Sequence, residues 1–153
     1  MVRYIKGDLL EMFGKGEFGA IAHGCNCFNL MGAGIARSIS VKYGEALIAD
    51  RYYTLPVGYQ RLGNFSYALS GTPNGGTGTI VNLYTQLHPG RGFMENHFLS
   101  AMEKALHCFE NIAIPYVGCG IGGYEKDGFP GLMERLDTRN KKVWVVDYEK
   151  TTT

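Results

Sequence analysis

Residues 20–43 constrain the fold more than any other stretch. An apolar lead-in, Ala20-Ile21-Ala22, runs into a compact polar group, His23-Gly24-Cys25-Asn26-Cys27, and a short loop then reaches Met31-Gly32-Ala33-Gly34-Ile35-Ala36. A buried strand that stops at polar residues, crosses a glycine-dense turn and enters a helix requires a sheet with a helix packed on it. Ile35, Ile39 and Tyr43 recur at steps of four and predict that helix's inward face. The turn is shaped for an anion. Glycine has no Cβ to hold a ligand away from backbone N–H groups, and the helix N-terminus adds roughly half a positive charge. Gly32-Ala33-Gly34 alone is also compatible with a turn that needs glycine only for its angles, because a lone short glycine motif is a weak signal.

The remaining chain alternates strand and helix patterns. Residues 2–6 predict a strand, after which Asp8 can cap a short helical turn reaching Phe13. A turn at 15–19 leads into a central strand at 20–23. The helix from the glycine turn ends at Gly44, and a second helical piece over 45–52 is broken by Pro56 and Gly58. Residues 64–70 and 79–85 are rich in β-branched and aromatic residues and flank a turn-forming stretch, which predicts an antiparallel pair. Phe98, Ala101, Met102, Ala105, Leu106 and Phe109 form an apolar stripe that predicts a helix over 95–109, with His97 and His107 facing solvent. A short strand at 112–115 empties into a second glycine-dense loop, 116–124. A helix near 129–137 and a buried strand at 143–148 complete the pattern. This order implies an α/β sandwich with a mixed sheet, and two glycine loops facing one crevice at the strands' carboxyl ends.

Composition narrows the functions. The chain of 153 residues suits one domain, residues 1–150 with a tail at 151–153, and folding should bury roughly 70% of the extended surface. Fifteen Lys and Arg against 14 Asp and Glu give a formal charge of +1, which excludes bulk nucleic-acid or membrane-surface binding as the main role. An anion must then be held by local dipoles. Cys25, Cys27, Cys108 and Cys119 lie in apolar or glycine-rich surroundings and lack a zinc-spaced second pair, so buried reduced thiols, no metal and a cytoplasmic monomer are expected. No apolar run approaches the roughly 18 residues of a membrane span. A nicotinamide-dependent oxidoreductase fails because Gly32-x-Gly34 lacks the third glycine and the acidic partner of that motif.

Four motifs in order resemble the macrodomain family, whose members bind ADP-ribose: Lys6-Gly7-Asp8-Leu9-Leu10; His23-x-Cys25-Asn26 leading to Met31-Gly32-Ala33-Gly34-Ile35-Ala36; Ile80-Val81-Asn82-Leu83-Tyr84; and Ile114-Pro115-Tyr116-Val117-Gly118-Cys119-Gly120-Ile121. They span nearly the whole chain. The resemblance implies a three-layer α/β/α fold with a central mixed β-sheet, no cofactor, and ADP-ribose or ADP-ribose 1″-phosphate as partner. It also implies that Asp8 accepts a hydrogen bond from the adenine amino group, with the Leu9 backbone beside the ring, and that Asn26 holds the distal ribose. Gly32, Ala33, Gly34 and Ile35 match the first diphosphate loop. Gly118, Cys119, Gly120, Ile121, Gly122 and Gly123 match the second, with Tyr124 closing it. Tyr148, or more loosely Phe109, is a candidate for adenine stacking.

The His-x-Cys-Asn motif and the Gly-Cys-Gly loop are most similar to the branch of ADP-ribose 1″-phosphate phosphatases and terminal ADP-ribose protein glycohydrolases. The glycohydrolase aspartate two residues after Gly-Cys-Gly is replaced by Gly122. Catalytic candidates are His23, Asn26, Glu125 and Asp127, with Glu125 or Asp127 as water-orienting carboxylate and His23 as the alternative acid or base. The expected activities, in order, are slow removal of the terminal phosphate of ADP-ribose 1″-phosphate, hydrolysis of ADP-ribose from protein or nucleic acid, and ADP-ribose reading without chemistry.

Overall fold

A computed structural model describes residues 1–150, and the expected tail at 151–153 lies outside the described residues. The strands are β1 (Val2–Gly7), β2 (Ala20–Asn26), β3 (Phe65–Gly71), β4 (Thr77–Gln86), β5 (Ile112–Ile114) and β6 (Val143–Tyr148). They form one sheet in the order β1-β6-β5-β2-β4-β3. All neighbours run parallel except β3 and β4, the expected antiparallel pair. The helices are α1 (Leu9–Gly14), α2 (Gly34–Lys42), α3 (Gly44–Arg51), α4 (Glu95–Cys108) and α5 (Phe129–Glu134).

Strand periodicity divides the core between the two sheet faces. Ala20, Ala22, Val81, Leu83, Ile112, Ile114, Val143 and Val145 pack with Phe98, Met102 and Leu106 of α4 and with Phe129, Leu132 and Met133 of α5. Ile21, Ile80, Ala113 and Val146 face the other way, onto Leu9 and Phe13 of α1, Ile39 of α2, Tyr43 between α2 and α3, and Ala46 of α3. Three layers result, α/β/α with a central mixed sheet. Burying each large side chain of the α4 stripe contributes about 1.5 to 3 kcal/mol.

Three sequence expectations need adjustment. α4 ends at Cys108, because Phe109 takes extended backbone and packs edge-on against Phe65 and Tyr67. α5 ends at Glu134, short of the expected 137, and the Asp137 N–H donates to Glu103 of α4. Cys108 is exposed, unlike buried Cys25 and Cys27, since it follows the apolar stripe on α4's outer side.

β2 also outruns its apolar lead-in and stays paired with β4 through Asn26. Its polar residues remain in the sheet because they meet polar partners. His23 Nε2 lies 2.7 Å from Asn82 Oδ1, and Asn82 Nδ2 donates to the Ala46 carbonyl and to Ser66 Oγ. Ser66 Oγ pairs with Tyr84 OH, which donates to Asp50 Oδ1 at 2.7 Å. Arg61 Nη1 lies 3.4 Å from the same carboxylate oxygen. Arg61 is 2% exposed and sits beside the stacked rings of Tyr53 and Tyr84. It also donates to the Leu55 carbonyl and, at 2.6 Å, to Asn29 Oδ1. Every step of this chain is satisfied, which is the condition for polar groups to be tolerated at such depth.

Candidate functional site

A crevice opens at the carboxyl ends of β2, β4 and β5, where the loops that follow those strands diverge. One wall is the loop between β2 and α2. Asn26 shapes it: Oδ1 accepts from the Phe28 N–H at 2.9 Å, and Nδ2 donates to the Leu30 carbonyl at 2.7 Å. That uses two of the amide's four hydrogen-bonding positions and leaves one N–H and one lone pair for a ligand. Asn29, at φ 61°, holds the left-handed turn while Arg61 fixes its side chain. The chain then enters α2 with Ala33 extended and Gly34 at φ 59°. The N–H groups of the first turn, Gly34, Ile35 and Ala36, have no preceding turn to donate to.

The opposite wall is the loop after β5. Cys119, Gly123 and Tyr124 spend their N–H groups inside it, on the carbonyls of Tyr116, Gly120 and Gly118. Gly120, Ile121 and Gly122 donate in none of the loop's backbone hydrogen bonds. The loop is braced from outside. Gly118, at φ 80°, has its missing Cβ position 2.2 Å from the Phe93 ring, and the Phe93 ring packs on Tyr124 at 5.0 Å. Gly92 and Phe93 N–H groups reach the Gly122 carbonyl. Gly32 and Gly120 are different, because a Cβ on either would project into open space.

Between these walls lies a cavity of about 490 Å³, lined among others by Asn26, Gly32, Gly34, Gln86, Gly120 and Gly122. Among the described residues no carboxylate, imidazole, ammonium or guanidinium group lines it. It meets a second hollow of about 680 Å³ at Ile35 and Pro115, which line both. The second hollow holds Asp8, Leu9, Ser38, Lys42 and Tyr148. Asp8 also caps α1, accepting from the Glu11 N–H at 3.2 Å. One continuous groove therefore runs from Asp8 past two sets of backbone donors to Asn26.

The structure thus gathers Asp8, Leu9, Asn26, Gly32, Ala33, Gly34, Ile35, Gly118, Gly120, Ile121 and Gly122 along this groove, and it adds Thr85 and Gln86, which no sequence motif marks. Other candidates fall elsewhere. Cys119, Gly123 and Tyr124 hold the second loop's shape and do not line the groove. Phe109 packs at the β3 edge with Phe65 and Tyr67, whereas Tyr148, 70% exposed, stands beside Asp8. Glu125 and Asp127 are exposed on and beside the turn Lys126–Gly128, outside the lining.

His23, a candidate acid or base from its place in the sequence, does not reach the crevice. Its side chain is fully buried and engaged with Asn82, because strand alternation turns it into the sheet's packed side while the backbone of Gly24 faces the groove. Burial lowers its pKa to about 4, against a smaller opposing effect of the Asn82 hydrogen bond. A neutral, enclosed imidazole has no route to a reacting atom in the crevice. Burial likewise holds the Cys25 thiol well above its ordinary range and raises Cys119 to about 11. Neither is an activated nucleophile. Among the described residues no group of three His, Cys, Asp or Glu side chains is placed to hold a metal, and no helix is long and apolar enough to cross a membrane.

No family model matches the chain. It is 33% identical over 156 residues to a 17.5 kDa protein from the tk-vs intergenic region of Enterobacteria phage T4, covering 97% of each chain. A shorter match, 47% identical over 45 residues, is to an ADP-ribose 1″-phosphate phosphatase of Scheffersomyces stipitis and spans 28% of this chain and 26% of that protein. The macrodomain of Mycobacterium tuberculosis DarG has a TM-score of 0.74 at 21% identity over 99% of both chains. Thermosipho africanus DarTG in complex with ADP-ribose has a TM-score of 0.73 at 16% identity, over 95% of this chain and 41% of that one.

Proposed function

We propose that the chain, which has the fold of the DarG macrodomain, is a macrodomain whose groove binds ADP-ribose and hydrolyses what is attached to the distal ribose. One observation carries the reading. A carboxylate, Asp8, stands at one end of a groove whose middle presents free N–H groups from both walls and whose far end presents the Asn26 amide. An adenine amino group, a diphosphate and a ribose are complementary to those three chemistries in that order.

The substrate we favour is ADP-ribose 1″-phosphate. Supporting it is the 45-residue match to a phosphatase of that compound. Water attacks phosphorus, the bond from phosphorus to the oxygen on C1″ breaks, and ADP-ribose leaves with a proton on that oxygen. Backbone donors of the second loop face the charge that develops, an arrangement that can lower a barrier by a few kcal/mol. Asn26 and Gln86 are the polar side chains placed to orient water. Glu125 and Asp127 act as a base only if the turn Lys126–Gly128 folds over the groove, so we assign the catalysis to positioning and expect slow turnover. The second reading, removal of ADP-ribose from a modified macromolecule, is favoured by the likeness to DarG.

Incubation with ADP-ribose 1″-phosphate, with an ADP-ribosylated protein and with an ADP-ribosylated oligonucleotide separates these readings. Free phosphate supports the first and free ADP-ribose the second. Binding of ADP-ribose with no product from any of them leaves a reader.

A further inference from the structure

β2 and β4 lose register at their carboxyl ends. Cys25 pairs with Tyr84 and Asn26 with Gln86, so Thr85 opposes no residue of β2. Bulges of this kind re-aim a side chain. Thr85 lines the groove and is 1% exposed, and its Oγ1 has no hydrogen-bond partner. Among the described residues one other buried side-chain oxygen shares that condition, Tyr43 OH, which lies against Gly14 and Pro73 away from the groove.

Most polar groups around Thr85 have partners of their own, and none of them hydrogen-bonds its Oγ1. Gln86 Nε2 donates to the carbonyls of His88 and Gly90, the Asn26 amide holds Phe28 and Leu30, and the Thr85 carbonyl accepts from the Met94 N–H. Leaving a buried hydroxyl unpaired lowers stability, so the arrangement calls for a partner from outside the chain. The lack of a side chain at Gly24 keeps the hydroxyl from being covered. A Cβ there would lie 3.0 Å from Thr85 Oγ1 and 2.9 Å from Val117 Cγ1, and Gly24 itself lines the groove.

We propose that Thr85 is a ligand-binding residue whose hydroxyl pairs with a hydroxyl of the distal ribose, beside Gly24 at the groove wall. A hydroxyl both donates and accepts and so complements another hydroxyl, and Thr85 sits at the Asn26 end of the groove. The assignment rests on the ADP-ribose reading above.

The test is Thr85→Val, which keeps the shape and removes the hydroxyl, with Thr85→Ser as the restoring variant. Calorimetry with ADP-ribose and with ADP, which lacks the distal ribose, reads the contact. Thr85→Val should bind ADP-ribose roughly fivefold to tenfold more weakly, the loss of one neutral hydrogen bond, while ADP binding stays unchanged. It should melt no lower than wild type, because an unpaired buried hydroxyl has been removed. Thr85→Ser should keep wild-type affinity for ADP-ribose. A purely structural role would lower the melting temperature and weaken both ligands together, and that result, or unchanged ADP-ribose affinity in Thr85→Val, overturns the assignment. Should Thr85→Val not fold, Gly24→Ala serves: its methyl covers the hydroxyl, so weaker ADP-ribose binding with ADP binding retained supports the proposal, and unchanged ADP-ribose binding overturns it. A wild-type protein that binds neither ligand removes the ADP-ribose reading and this assignment together; wild-type binding with an unaffected Thr85→Val removes Thr85 alone.

Discussion

Asp8 has two tasks that substitution can separate. Its carboxylate caps α1 and also faces the wider hollow of the groove. Asn can still accept the Glu11 N–H but is a weaker, uncharged partner for an adenine amino group. Asp8→Asn should therefore keep the melting temperature while weakening ADP-ribose binding, and Asp8→Ala should lose about 1 kcal/mol of stability with the cap as well as about 1 to 3 kcal/mol of binding. Thermal melts beside calorimetry check both; equal ADP-ribose affinity in all three proteins would remove Asp8 from the site. His23 carries a different forecast. Its pKa of about 4 in the folded protein lies below the ordinary 6.5, so the unfolded chain binds the extra proton first as pH falls. Stability from this residue is complete above about pH 6.5 and declines toward pH 4, by about 1.4 kcal/mol for each unit of pH between the two values. Urea unfolding at pH 7 and pH 4.5 should show a larger drop for wild type than for His23→Gln. Asp8 was legible because its capping position is local, three residues from its partner. The role of His23 was not, because its partner, Asn82, is 59 residues away on another strand.

At the level of elements, the two glycine loops were recognisable from composition, yet their glycines do unlike things. Gly118 is glycine because of its left-handed φ and the Phe93 ring, while Gly120 faces open groove. Gly118→Ala should lower the melting temperature markedly, whereas Gly120→Val should melt near wild type and bind ADP-ribose at least tenfold more weakly, about 1.4 kcal/mol. A Gly120→Val protein with normal affinity would make that loop purely structural. Periodicity located α4 and the β3–β4 pair because their stripes are long. It misjudged the ends of β2 and α5, where the outcome depends on distant partners: Asn82 keeps His23 inside the strand, and Glu103 takes the Asp137 N–H just beyond the helix. Arg61 shows the same limit. In sequence it is one basic residue after a turn, and only the folded chain brings it beneath Asn29 and beside Asp50.

For the whole molecule, the strand-helix order was enough to imply three layers and a crevice at the carboxyl ends of the strands. What the order could not convey is which side chains reach that crevice, and the half expected to hold a diphosphate turns out to be lined by neutral groups alone. That lining has a consequence for how the protein meets an ionic solution. A site built from lysine and arginine holds its anion by full charges, and its affinity falls as electrolyte screens that attraction. A site built from peptide dipoles offers no full charge to screen, and the chain as a whole carries a formal charge of only +1. ADP-ribose titrations from 50 mM to 500 mM sodium chloride should therefore give nearly constant affinity, within about threefold across that range by the screening argument. A steep decline would mean that surface cations such as Lys42 hold the phosphates. If the affinity stays flat, the protein can grip a doubly charged ligand equally well in dilute buffer and in concentrated brine.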